Sequence, residues 1–221
     1  MLSLLLLATA FLLPAALSAP AEEPARFMER QLVERQGGYY WSFWQEGGGS
    51  HNCQNGAGGS YTAKWSGGGG FVCGKGWQPG GSRAVKYSGT YTPVGPGYLA
   101  LYGWTQSPLI EYYIVDNYDV LAPGEPWTFK GNFTSEEGDY SVYTSQRVNK
   151  PSIEGTRTFM QYWSVRSEKR TGGTITTGTH FSQWQKLGMN LGRHSYMILA
   201  TEGFTNSSYP TPSGSSSITL S

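Results

Sequence analysis

Two glutamates stand in unusual company. Glu111 lies inside Leu109-Ile110-Glu111-Tyr112-Tyr113-Ile114-Val115-Asp116, and Glu202 inside Tyr196-Met197-Ile198-Leu199-Ala200-Thr201-Glu202-Gly203-Phe204. Both runs are aromatic or β-branched, the composition that fits strands. A carboxylate on an apolar strand face needs a partner, whereas at the base of a wet cleft it does not. Two carboxylates among aromatic rings suit glycoside hydrolysis: one is protonated and donates to the leaving oxygen, the other attacks or activates water, and the rings take the C–H faces of sugars. Spacing alone leaves the alternative open. Fifteen acidic residues supply many accidental pairs, and two solvent-facing strand glutamates would look the same.

Other chemistries have less to build on. His51, His180 and His194 sit in unrelated contexts with no zinc-ligand spacing, so no metal or cofactor is expected. There is no G-x-S-x-G elbow to present a serine. Gly74-Lys75-Gly76-Trp77-Gln78-Pro79-Gly80 lacks the spacing of a phosphate loop and reads as a turn.

The elements that must carry the two glutamates follow from a period of two. Leu109, Glu111, Tyr113 and Val115 share one strand face, opposite Ile110, Tyr112, Ile114 and Asp116. Tyr196, Ile198, Ala200, Glu202 and Phe204 share a face in the later run, and Tyr102 and Trp104 share one on the strand before Glu111. Further strands are expected at 39–44, 60–65, 83–91, 98–104, 126–133, 140–148, 157–165 and 217–220, separated by glycine clusters. One segment reads as helix: Thr179 as cap, Phe181, Trp184 and Leu187 at helical spacing, Gly188 as stop. The pattern is all-β with turn signals at sandwich intervals.

With 221 residues, a single β domain is expected. The formal charge of +1 and the absence of a basic stripe give no footing for nucleic acid or an anionic membrane as partner. Gly 31, Tyr 15 and Trp 8 combine turn-formers with stacking surfaces. Residues 1–18 read as a signal peptide, 19–35 as a pro-segment and 36–221 as the catalytic domain, making the protein secreted and extracellular. An oxidising compartment allows Cys53 and Cys73 to pair, stapling the hairpin they flank. Asn132-Phe133-Thr134 and Asn206-Ser207-Ser208 are N-glycosylation sequons.

The wording of the segments carries more than their period. Pro108 to Asp116 and Ala200 to Phe204 closely resemble the two catalytic signatures of glycoside hydrolase family eleven, the secreted endo-β-1,4-xylanases. Gly74-Lys75-Gly76-Trp77, Gln146 to Thr156 and Gln161 to Arg166 resemble three more of its landmarks, in the family's order. The resemblance spans about Tyr39 to Ser221. It implies a β-jelly roll of two curved antiparallel sheets with a single short helix and a concave substrate cleft. Glu111 would be the nucleophile and Glu202 the acid/base of a retaining mechanism, with carboxyl groups roughly 5–5.5 Å apart. By the same carry-over Trp44 would stack a xylose, Tyr102 and Tyr113 would hold the reacting sugar and the nucleophile, and Arg147 and Gln161 would bind near the centre. Tyr196 would lie further along the cleft, and Pro151, Ser152 and Ile153 would form the tip of a thumb hairpin. Tyr112 and Tyr162 are expected to pack.

One position departs from the family pattern. Where members usually carry Asn or Asp beside the acid/base, this chain has Gly70, so the pH optimum does not carry over; nor does the cysteine pair, which is not general in the family. Xylan and xylo-oligosaccharides are the expected partners, and a monomer the expected state. The rival readings are a β-1,4-glucanase on a related jelly roll and a non-catalytic carbohydrate-binding relative.

Overall fold

A computed structural model describes residues 38–121 and 126–221. The expected signal peptide and pro-segment lie outside the described residues. In chain order the strands are β1 (Tyr40–Glu46), β2 (Ser50–Asn55), β3 (Ser60–Ser66), β4 (Gly70–Trp77), β5 (Ala84–Val94), β6 (Gly97–Gln106) and β7 (Ile110–Tyr118). They continue as β8 (Thr128–Ser135), β9 (Gly138–Ser152), β10 (Gly155–Arg166) and β11 (Gly173–Thr176); then come helix α1 (Thr177–Lys186), β12 (Arg193–Phe204) and β13 (Ser213–Leu220). Eight strands form one sheet in the order β1-β4-β12-β6-β7-β10-β9-β8, and five form a second in the order β11-β5-β13-β3-β2. Pairing is antiparallel apart from β7 with β10, which run parallel. This is the all-β jelly roll expected from the sequence, with that one pair departing from strict antiparallelism.

Side-chain alternation sets the layers. In β13, Ser216, Ile218 and Leu220 point inward while the residues between them face solvent, because the outer face of the five-stranded sheet is wet. In β6 both faces are covered. Leu99 and Leu101 join the core between the sheets, while Tyr98, Ala100, Tyr102 and Trp104 belong to a second cluster on the opposite face. That second cluster, with Tyr113, Trp163, Tyr196 and Ile198, floors the cleft. Tyr112 and Tyr162 lie in the inter-sheet core, as their positions in the strands required.

Three local expectations are corrected. Gly74 to Trp77 is not part of a turn but of β4, an interior strand paired with both β1 and β12. Glycine is required there by close approach: a Cβ on Gly74 or Gly76 would fall 2.0 Å from the carbonyl oxygen of Leu199 or Met197. The helix begins two residues before Thr179, with Thr176 in the cap position and no side-chain cap bond. Its end is as expected: Gly188, at φ 73°, donates to Gln185 O, and Met189 donates to Trp184 O, the paired bonds of a Schellman stop. The third concerns Cys53 and Cys73, which do form a disulfide, but one that joins β2 of one sheet to β4 of the other instead of stapling a hairpin.

The helix closes the core where the smaller sheet stops. Trp184 is fully buried and donates from Nε1 to Ser164 Oγ of β10 at 2.9 Å. Tyr112 meets both Phe181 and Trp184 edge-on. Nearby, Asp116 is buried on the core face of β7, accepting from Tyr87 Oη at 2.6 Å and Arg170 Nε at 2.8 Å.

Candidate active site

Glu111 sits in the middle of the eight-stranded sheet, and every bond that orients it comes from a neighbouring strand or its own. Cross-strand register puts Trp104 on one side of it and Gln161 on the other, with Ser145 beyond Gln161. Tyr102 donates to Glu111 Oε1 at 2.9 Å and Tyr113 to the same oxygen at 3.3 Å. Gln161 Nε2 donates to Oε2 at 2.6 Å. These donors are themselves held. Trp104 Nε1 donates to Tyr102 Oη at 2.6 Å, so the tyrosine proton is left for the carboxylate. Ser145 Oγ donates to Gln161 Oε1 at 2.8 Å, which turns the amide nitrogen toward Glu111, and Trp163 Nε1 donates to Ser145 Oγ at 3.2 Å.

Glu202 is treated differently. It lies on β12, with β6 between it and the Glu111 strand, and its Oε2 is buried without a hydrogen-bond partner. Burial first, and then the negative charge of Glu111, push its pKa up to about 8, against smaller lowering effects from Tyr113 and Arg147. Burial also raises Glu111, but Gln161, Tyr102, the Arg147 charge and Tyr113 oppose it in that order. Burial and then the Glu111 charge keep the Tyr102 and Tyr113 hydroxyls protonated, so they stay donors. The outcome is one carboxyl surrounded by donors and one left to hold its proton.

The cleft encloses about 520 Å³. Glu111 and Glu202 line it together with Trp44, Tyr102, Tyr113, Arg147, Gln161, Tyr196 and the hairpin tip Pro151, Ser152 and Ile153. All the expected substrate-binding residues therefore converge. The hairpin is built by β9 and β10, whose tip turn is closed by Ser152 Oγ donating to Gly155 O at 2.6 Å and accepting from Glu154 N at 3.0 Å. Glu154 also accepts from Gln106 Nε2 at 2.9 Å, tying the tip to the end of β6.

Several residues of the site were not singled out in the sequence. Ser145 carries no local signal; its part depends on lying two strands from Glu111. Phe159, Trp163 and Tyr98 complete the aromatic walls with Phe204, which the period of two places on the Glu202 face, and Trp104, noted only for sharing a face with Tyr102, orients that tyrosine. Gly70 lies on the cleft wall, and a Cβ there would meet Phe204 Cβ at an ordinary 3.5 Å, so a side chain has room. A shallower depression of about 360 Å³ on the five-stranded sheet, lined by Asn52, Thr62, Lys64 and Ser215, contains no carboxyl group. Among the described residues, no group of three His, Cys, Asp or Glu could hold a metal ion. Of the two sequons, Asn132 is exposed on β8, and Asn206 sits in a turn where its Oδ1 accepts from the amides of Ser208 and Tyr209.

A cleft holding two inequivalent carboxyl groups between aromatic walls is the arrangement of a glycoside hydrolase. Comparison with known proteins gives the particular family: residues 36–213 match the model of glycosyl hydrolases family 11, and the chain belongs to that family. Ethylene-inducing xylanase 1 of Botryotinia fuckeliana is 57% identical over 184 residues, which is 83% of this chain and 63% of the relative. Ethylene-inducing xylanase of Penicillium digitatum is 49% identical, and Endo-1,4-beta-xylanase 2 of Rhizopus oryzae 47%, each over 93% of both chains.

Proposed function

We propose that this protein is a secreted endo-1,4-β-xylanase that hydrolyses internal bonds of xylan with retention of configuration. The observation that carries the reading is the asymmetry of the two carboxyl groups. Glu202, held neutral by burial and by Glu111, donates its proton to the glycosidic oxygen as Glu111 Oε attacks the anomeric carbon and the bond to the leaving chain breaks. The sugar is then an ester of Glu111, whose negative charge is gone. Glu202, now a carboxylate, takes a proton from water as that water attacks the anomeric carbon, and Glu111 departs ionised. Tyr102, Tyr113 and Gln161 receive the returning charge without reorganisation, because their protons are already aimed at it. Arg147 adds positive charge that both carboxylates feel.

The names of the relatives support xylan as the substrate. A monomer without cofactor suffices for this chemistry, since both reacting groups come from one chain. Reducing-sugar release from xylan and from carboxymethylcellulose, for the parent and for Glu111→Gln, tests the reading. Activity on xylan that falls by about four or more orders of magnitude in the variant is expected, the scale lost when a unit of the reacting machinery is removed. Preference for carboxymethylcellulose, or undiminished activity in Glu111→Gln, would overturn it.

A further inference from the structure

The aromatic row that begins at the nucleophile does not stop at the wall of the cleft. Cross-strand register aligns Tyr102 with Tyr113, Tyr113 with Trp163, Trp163 with Tyr143 and Tyr143 with Phe129, all on the cleft face. Tyr113 and Trp163 are stacked at 3.9 Å with 4° between planes. Beyond Trp163, which lines the cleft, Trp127 lies 4.6 Å from Tyr143 and 5.1 Å from Trp163, and Phe129 meets Tyr143 edge-on at 5.6 Å. Tyr143 and Trp127 are part-buried, and Phe129 is 56% exposed. These three rings are outside the cleft walls, at the opposite edge of the sheet from Trp44.

The edge strand β8 carries the exposed Lys130 beside Phe129, as edges commonly carry charge, but the three rings themselves form an uncharged aromatic surface. Three strand spacings, about 14 Å at 4.8 Å each, separate β8 and its exposed Phe129 from the Glu111 strand, while the Trp127 ring abuts Trp163 of the cleft wall, so the three rings lead outward from the cleft. We propose that Trp127, Phe129 and Tyr143 form a distal platform on which a further xylosyl unit of the bound chain stacks. The occupant is fixed by continuity: the platform adjoins a groove that, on the reading above, holds this polymer, and flat uncharged rings suit the C–H face of a pyranose. The platform thus favours long chains over short ones. It is a binding surface and takes no part in the bond-breaking step.

Asn132 bears on the test. It pairs with Ser141, two residues from Tyr143, so its side chain shares the face of Phe129, and a glycan there would crowd the platform. Protein made in a host that adds no N-glycans is therefore used. Specificity constants for xylo-octaose and xylotriose are compared in the parent, Trp127→Ala, Phe129→Ala and Phe129→Tyr. Loss of one stacked ring is expected to reduce kcat/KM on xylo-octaose by roughly two- to tenfold and leave xylotriose within about twofold, with Phe129→Tyr retaining the long-chain preference. Phe129→Ala touches only the exposed ring, so it reads the platform even if Trp127→Ala disturbs Trp163. Equal losses on both substrates, or no loss on either, would overturn the platform alone. A parent inactive on both oligomers would overturn the xylanase reading and the xylosyl occupant with it.

Discussion

Glu111 and Glu202 differ in what their oxygens meet, and that difference should be visible in the pH dependence of the reaction. On the proposed mechanism activity needs Glu111 ionised and Glu202 protonated, so kcat/KM is expected to fall on the basic side near the Glu202 value of about 8. Gly70→Asn, which a Cβ at ordinary contact with Phe204 allows, adds an amide donor on the cleft wall near Glu202. Donation to the buried Oε2 favours the ionised form, so the basic limb should move to lower pH, and an unmoved limb would contradict this. Ser145→Ala frees the Gln161 amide to turn. Glu111 then loses a donor, its pKa rises, and the acidic limb should move to higher pH while kcat drops by about tenfold; a uniform drop with both limbs fixed would mean that Ser145 acts otherwise. Stability carries the same signature. The folded Glu202 pKa lies above the ordinary carboxylate value, so the folded state binds the extra proton between them, and stability is lost as pH rises through that window. Glu202→Gln should therefore raise the melting temperature at pH 8 relative to the parent and change it little at pH 4.

At the scale of elements, the thumb-like hairpin and the disulfide each join parts that the sheet alone leaves apart. The Glu154–Gln106 bond is exposed, so Gln106→Ala is expected to cost less than about 1 kcal/mol of stability while changing KM more than the chemical step, because it loosens the tip and leaves Glu111 untouched. The Cys53–Cys73 bridge closes a short loop, and its loss should cost about 3 kcal/mol, or roughly 6–12 °C in melting temperature, on replacement of both by Ser. Strands with alternating or aromatic runs, such as β6, β7 and β12, were legible because their pattern and their burial agree. β2, β4 and β11 were not. Ser50–Asn55 is a polar edge strand, Gly173–Thr176 is four residues long, and β4 carries glycines where a neighbouring backbone comes close, so each reads locally as loop or turn. The disulfide pairing was legible, but the sheets it joins were not, since polar β2 and glycine-rich β4 both read locally as loop or turn.

Across the whole molecule, the pair of glutamates that line the cleft was legible from the wording of two segments, whereas the bonds that differentiate its members arise from register across several strands. No local pattern marks Ser145 as the orienter of Gln161, or Trp127 and Phe129 as a continuation of the Tyr113 row. The core behind the cleft sets an acid limit of its own. His180 is buried against Phe133, Tyr140 and Trp184, and burial followed by the charges of Arg170 and Arg166 lowers its pKa to about 3. The folded value is below the ordinary histidine value, so stability is intact above about 6.5 and is lost as pH falls toward 3. His180→Gln should flatten the fall in melting temperature between pH 6 and 3, and parallel slopes would contradict this assignment.

The central claim is that Glu111 forms the bond to the sugar. A xylobioside bearing fluorine at C2 and a good leaving group slows hydrolysis of the glycosyl-enzyme enough for it to accumulate, and peptide mapping by mass spectrometry then locates the adduct. One fluoroxylobiosyl group on Glu111 is the expected result; an adduct on Glu202, or turnover with inverted products and no adduct, would contradict it.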